Sequence, residues 1–186
     1  MKVVELNGDR VACICGLRGL VGIEEALHLT REAEAKFGVV VQIFDASLVA
    51  TWEHVFFSTL NAVKASDAGR RIARSLGMEI LVRLSGQRQI NVALEMFGVK
   101  EGCERLGLVA VGAKGGRVEE AARYVIEALG ALEDDGVLEL DGEKAERIKK
   151  AFGIESVELE SVQARDEFEA LVKCCIERGA LLTLES

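Results

Sequence analysis

Proline is absent from this 186-residue chain. That excludes proline-rich linkers and the polyproline recognition modes that depend on them. Aromatic residues make up 5%, so a platform on which nucleic-acid bases stack would have to be sparse. There are two histidines, His28 and His54, too far apart for an H-x3–5-H pair. The five cysteines include a Cys13-x-Cys15 pair, but no second pair stands at zinc-site spacing, so no metal site is expected. No uncharged apolar run approaches the roughly 18 residues that a membrane-spanning helix needs. Charges interrupt the opening MKVVELNGDR, which does not read as a signal peptide. The expectation is a cytoplasmic protein with no membrane partner.

What is present is apolar content. At 49% hydrophobic residues the chain can build a packed core, and its length suits one domain spanning 1–186. The net charge of −8 argues at first against nucleic acid. Its distribution argues otherwise. Glu133–Glu169 holds 13 acids against 5 bases, which accounts for the whole excess. Lys64–Arg88 holds six bases, Lys64, Arg70, Arg71, Arg74, Arg83 and Arg88, against Asp67 and Glu79. A basic middle is followed by an acidic C-terminal third.

Periodicity supplies the elements. Val3–Leu6 and Val11–Cys15 flank the turn signal Asn7-Gly8-Asp9 and predict a hairpin. Cys13 and Cys15 alternate along its second strand, which places one in the core as a small hydrophobe. Ile23–Phe37 predicts a helix with Leu27, Ala33 and Phe37 as its apolar positions, stopped by Gly38. Val39–Phe44 and Leu106–Val111 read as strands. Thr51 is the expected N-cap of a helix to Ala65, and Asp67 that of a second helix, Ala68–Leu84, with Ile72, Leu76 and Ile80 on one face. Helices are further expected at Arg88–Phe97, Glu119–Leu132, Lys144–Phe152 and Asp166–Arg178, and a last strand at Ala180–Leu184. Ile90 and Leu94 join the expected core. Strands surrounding a run of three consecutive helices predict α+β, with a small mixed or antiparallel sheet, rather than a doubly wound fold.

Nothing assembles a nucleophile, a base and an oxyanion donor, and a lone His54 is weak evidence for catalysis. The chain is therefore not read as an enzyme; no catalytic residue and no cofactor are assigned. Gly112–Arg117 follows a strand and precedes a helix, but fits neither common phosphate-loop pattern and reads as a turn. Ser85–Ile90 is the better anion site. Gly86 permits a tight turn, the N–H groups of the next helix follow at once, and Gln87, Arg88 and Gln89 add side-chain donors.

These same residues carry a resemblance. Ser75-Leu76, Glu79-Ile80-Leu81, Ser85-Gly86, Arg88-Gln89-Ile90, Ala93-Leu94 and Phe97-Gly98 follow the pattern of the KEOPS regulatory subunits, and the sequence resembles the archaeal-type counterparts of the PRPK-binding protein. A second match runs through Phe152-Gly153-Ile154, Glu158-Leu159, Leu171-Val172 and Glu177-Arg178 to Ala180-Leu181-Leu182. Gly179 departs there from the usual valine, a change expected to loosen the final turn. The resemblance spans about residues 51–184. It implies a non-catalytic subunit of the complex that makes threonylcarbamoyladenosine in tRNA. Such a subunit docks on and stimulates the small PRPK-type kinase/ATPase and grips the single-stranded 3′ CCA end of tRNA, with no small-molecule substrate of its own. An alternative is a protein-only regulator of the kinase that does not touch tRNA. On the first reading the RNA contacts are Lys64, Arg70, Arg71, Arg74, Arg83, Gln87, Arg88 and Gln89. Arg74 and Arg83 lie nine residues apart, on opposite faces of a straight helix at about 100° per residue, so Arg71 and Arg88 are the stronger expectations. The acidic stretch Glu155–Cys175 is expected to face the kinase.

Overall fold

The computed structural model describes residues 1–114 and 116–183. In chain order the elements are β1 (Lys2–Asn7), β2 (Arg10–Arg18), α1 (Ile23–Phe37), β3 (Val40–Asp45), α2 (Trp52–Asp67), α3 (Leu76–Ser85), α4 (Ile90–Phe97), β4 (Arg105–Ala113), α5 (Val118–Leu129), β5 (Leu132–Glu133), α6 (Gly142–Phe152), α7 (Ser156–Ser161) and α8 (Glu167–Leu181), with short 3₁₀ turns at Ala46–Leu48 and Asp135–Leu138. The described residues thus form an α+β fold with five strands and eight α-helices, as expected. None of those helices is long and apolar enough to cross a membrane. The chain divides into two units, residues 1–47 with 98–138 and residues 48–97 with 139–186.

The first unit is the sheet. Its order is β1-β2-β4-β3, with β5 paired to β2, and every pairing is antiparallel. Alternation along the strands gathers Cys13, Cys15, Leu17, Val41, Ile43, Leu106, Leu108 and Ala110 into one core cluster with Ala26 and Ala33 of α1 and Ala121, Ala122 and Val125 of α5. Both Cys13 and Cys15 are in that core, not one of them: a two-residue spacing returns a strand side chain to the same face. The buried face of α1 is Ala26, Leu29 and Ala33, whereas Leu27 is 52% exposed. Gly107 leaves room for the Phe44 ring, which an added Cβ would meet at 2.1 Å.

The second unit is helical. Here the structure corrects the sequence reading in three places. The expected helix Ala68–Leu84 begins only at Leu76. Asp67 closes α2 instead of capping its successor, because Gly69 adopts φ +67° and Arg70 N–H returns to Ala65 C=O at 2.8 Å. Ser75 is the true N-cap of α3, accepting from Met78 N–H. In α4 the buried residues are Ala93 and Phe97, while Leu94 is 39% exposed. At the C-terminus Ala180 and Leu181 belong to α8, so the expected strand is helical where it begins, and its last residue, Leu184, lies outside the described residues.

α8 packs on α3 through two glycines. Gly86, at φ +61° beyond the end of α3, stands where a Cβ would meet the Arg178 Cβ at 2.7 Å, and a Cβ on Gly179 would meet the Arg83 carbonyl oxygen at 2.3 Å. Gly179 therefore permits a close helix contact that a Cβ would block. Alanine there gains about 1 kcal/mol of helix propensity and loses about 1–3 kcal/mol to overpacking against backbone. Gly179→Ala is expected to lower the urea midpoint with an unchanged denaturant slope; a raised midpoint would mean that the contact yields.

Candidate nucleic-acid interface

The eight residues expected to contact RNA all lie in the helical unit, arranged about α3. Before α3, the connection from α2 carries Arg70, Arg71 and Arg74, all exposed, and Lys64 is exposed on the last turns of α2. After α3, Gln87 is half-buried, with its N–H on Ser85 Oγ at 3.1 Å, while Arg88 and Gln89 are exposed. The ten residues of α3 separate the two groups by about 15 Å at 1.5 Å per residue. The structure therefore brings the bases together at two stations rather than at one point. The N-terminus of α3, capped by Ser75, adds a helix-dipole end that favours anions beside Arg74.

Arg83 does not belong with them. It is completely buried, as is its partner Glu79. Its Nε and Nη2 donate to Glu79 Oε1 at 2.9 and 2.8 Å, and its Nη1 donates to Thr183 Oγ1 at 2.8 Å and to Gly179 C=O at 3.4 Å. Nine residues from Arg74, it occupies the inward face. Its guanidinium holds α3 to α8, and as a site assignment it is replaced by a structural one. Glu79, which the sequence reading did not place among the site residues, contacts the segment that carries Arg71 and Arg74. Its Oε2 accepts from the backbone N–H groups of Ile72 and Ala73, both at 2.8 Å, in the middle of the basic connection.

The corner after α3 differs in detail from expectation. α4 starts at Ile90, and Gln89 C=O accepts from Ala93 N–H, so Arg88 precedes the helix instead of opening it. In the sheet unit, the glycine turn carries no such concentration of exposed bases among the described residues: Arg117 donates to Lys36 C=O at 2.8 Å and lies over the Phe37 ring, and Lys114 pairs with Glu5 at 2.9 Å. Gly115 lies outside the described residues.

His54, Cys13 and Cys15 are inward. His54 is fully buried; its Nδ1 accepts from Ala50 N–H and its Nε2–H donates to Leu84 C=O at 3.0 Å, which assigns the tautomer. Burial pushes its pKa down to about 4, so the ring is neutral at physiological pH and acts as a strut between α2 and α3. Burial pushes the Cys13 thiol up to about 12 and the Cys15 thiol higher still, away from the reactive thiolate.

A second exposed feature lies on α7 and α8. A groove of about 410 Å³ is lined by Leu159, Val162 and Ala170 with the acidic Glu160, Asp166 and Glu167. Nearby stand the exposed apolar residues Val157 and Phe168, 75% and 45% accessible.

The model of the family described as kinase binding protein CGI-121 matches residues 22–180. The chain belongs to the CGI-121 family. It is 34% identical over 153 residues to the regulatory protein Cgi121 of Methanocaldococcus jannaschii, covering 80% of this chain and 86% of that one. It is 42% identical over 50 residues to the KEOPS complex subunit Cgi121 of Pyrococcus abyssi, a match of 27% of this chain and 29% of that one. The CGI-121 match takes in all of α1 through α7, every exposed base described above and the buried Glu79–Arg83 pair. It leaves out β1 and β2.

The buried His54 makes the fold sensitive to acid. Its folded pKa of about 4 lies below the ordinary 6.5. Above pH 6.5 the ring is neutral in both states. Below it only the unfolded chain takes up the proton, so stability falls as pH falls, down to the folded pKa. Between pH 6.5 and 5 the expected loss is about 2 kcal/mol. Urea titrations over that window should show the midpoint dropping in the unmodified protein and far less in His54→Gln; parallel curves would mean that other groups govern the acid limb.

Proposed function

We propose that this protein is a regulatory, non-catalytic subunit of KEOPS, that it binds and stimulates the PRPK-type kinase/ATPase, and that it holds the 3′ CCA end of tRNA, in the cytoplasm. The family's description as kinase binding proteins and the relatives' names as a regulatory protein and a KEOPS subunit support the first two parts. The RNA part rests on one observation: five exposed bases, Lys64, Arg70, Arg71, Arg74 and Arg88, at the two ends of one short helix in a chain of net charge −8. A single-stranded tail presents phosphates and unstacked base edges. The arginines suit the phosphates, and Gln87 and Gln89 suit the edges. Few aromatics are needed if bases lie on guanidinium planes.

The kinase contact is assigned to α7 and the adjoining part of α8. Val157 and Phe168 supply exposed apolar area beside a groove whose acids suit a basic partner and repel tRNA. Within Glu155–Cys175, Cys174 and Cys175 themselves are buried and take no part.

Two experiments separate these parts. Arg71→Glu with Arg88→Glu is expected to weaken tRNA binding and to flatten its salt dependence, the log–log slope falling by about 0.7 for every phosphate no longer neutralised. Equal binding of intact tRNA and tRNA without its CCA end would overturn the tail-grip reading, and no binding of either would leave a protein-only regulator. Val157→Glu and Phe168→Glu are expected to abolish co-purification with the kinase while tRNA binding persists. Kinase capture surviving a scan of Glu155–Lys173 would remove the interface from this face.

A further inference from the structure

Glu79 accepts four hydrogen bonds while fully buried. Oε1 takes Nε and Nη2 of Arg83, and Oε2 takes Ile72 N–H and Ala73 N–H at 2.8 Å each. A carboxylate offers about four such positions, so this one is satisfied with none to spare. The two backbone donors lie between Arg71 and Arg74. Arg83 in turn reaches Thr183 Oγ1 and Gly179 C=O at the end of α8. One side-chain pair thus ties the basic connection to α3, and α3 to α8.

The connection has little else of its own to hold it. Residues 70–75 form no regular element. At its start Arg70 N–H returns to α2, and at its end Ser75 caps α3. Between these points, Ile72 is half-buried and Ala73 is buried, and their amides are fixed only by Glu79 Oε2 among the described hydrogen bonds. Fixing two consecutive amides sets the backbone from which the Arg71 and Arg74 side chains leave on either side.

We propose that the buried Glu79–Arg83 pair is a positioning element for RNA: through Oε2 it presets the Arg70–Arg74 backbone in the conformation that receives the tail phosphates. This rests on the tail-binding reading above and goes beyond it, since neither member of the pair touches the RNA. Its energetic role is preorganisation. A segment that is already ordered gives up little further freedom on binding. Its signature differs from that of a residue that touches RNA. When the segment is released, Arg70, Arg71 and Arg74 keep their charges and still reach phosphates, so affinity falls while the salt slope stays.

The test compares two double variants of the full chain. Glu79→Leu/Arg83→Met replaces the pair with apolar volume, an exchange that buried ion pairs often tolerate, and leaves the two amides without their acceptor. Glu79→Gln/Arg83→Gln keeps a neutral chain of hydrogen bonds. The carboxamide oxygen introduced at position 79 accepts from the two amides. Its NH₂ donates to the carboxamide oxygen introduced at position 83, on a side chain too short to reach Thr183 as the Arg83 Nη1 does. The probe is a single-stranded RNA ending in CCA, titrated at several salt concentrations, with melting temperature and kinase capture measured alongside. The apolar variant is expected to bind about tenfold more weakly, with a salt slope parallel to that of the unmodified protein and kinase capture unchanged, and the glutamine variant to recover most of the affinity. Unaltered affinity in a folded apolar variant would overturn the proposal, as would an equal loss in both variants. If the apolar variant does not fold, hydrogen exchange of the unmodified, RNA-free protein decides. Ile72 and Ala73 amides protected like those of α3 support the preset backbone, and loop-like exchange refutes it. Failure of the unmodified protein to bind the oligonucleotide would instead sink the RNA reading itself, with the exchange result still recording whether the segment is pinned.

Discussion

A buried ion pair governs the helical unit. Glu79 and Arg83 stand one turn apart on α3, both with no accessible surface. Taking two charges out of water is costly, and their mutual attraction rarely exceeds that cost. Apolar residues of similar volume would serve stability as well. They could not accept two backbone N–H groups from the α2–α3 connection, nor donate to the end of α8. What the pair contributes is therefore hydrogen-bonding capacity at a dry junction. Removing one member alone would leave the other charged and unsatisfied, at a cost of about 3–5 kcal/mol.

The glycines at the same junction follow from this. Arg83 reaches the Gly179 carbonyl only because α8 approaches α3 closely, and that approach has no room for a Cβ at Gly179. A glycine inside a helix costs about 1 kcal/mol relative to alanine, which is set against the packing it allows. Gly86 serves the other side: its left-handed conformation ends α3 and lets the chain turn beside Arg178. Arg178 is itself held by both carboxylate oxygens of Glu158 on α7. The basic connection, α3, α8 and α7 are thus linked by successive polar contacts around a core that includes Ile80, Leu84 and Leu171.

Much of this was legible in the sequence, and the failures have physical causes. Turn residues and alternation located the hairpin, β3 and β4. Spacing located α1, α2 and α5, with Gly38 ending α1 as expected. The helix expected from Ala68 failed because Ile72, Leu76 and Ile80 keep helical spacing across a segment that is not all helical. Gly69 and Ser75, a stop and a start, were the signals against it. ALLTL was ambiguous between strand and helix, as short apolar runs are. Arg83 was counted among the site residues because charge counting does not register burial. Glu79 was counted as an acid opposing the patch for the same reason. Burying both leaves five exposed bases against Asp67, so the net charge of the patch is the same either way, and no count could have shown which residues form it.

That cancellation also bears on how an acidic chain could meet RNA. Several of the acids that set the net charge already have cationic neighbours: Glu158 has Arg178, Glu169 has Arg165 and Lys173, and Glu146 and Glu167 share Lys149. Paired charges project a weaker field than their number suggests. At physiological ionic strength any field decays over about 8 Å, shorter than α3 itself. A phosphate approaching Arg71 or Arg74 would respond to the charges within that distance, where bases predominate and the α3 dipole adds to them. For such a chain local exposure, not total charge, decides whether an anion can bind, and exposure here is controlled by which of two arginines on α3's flanks and faces, Arg74 or Arg83, the fold turns outward.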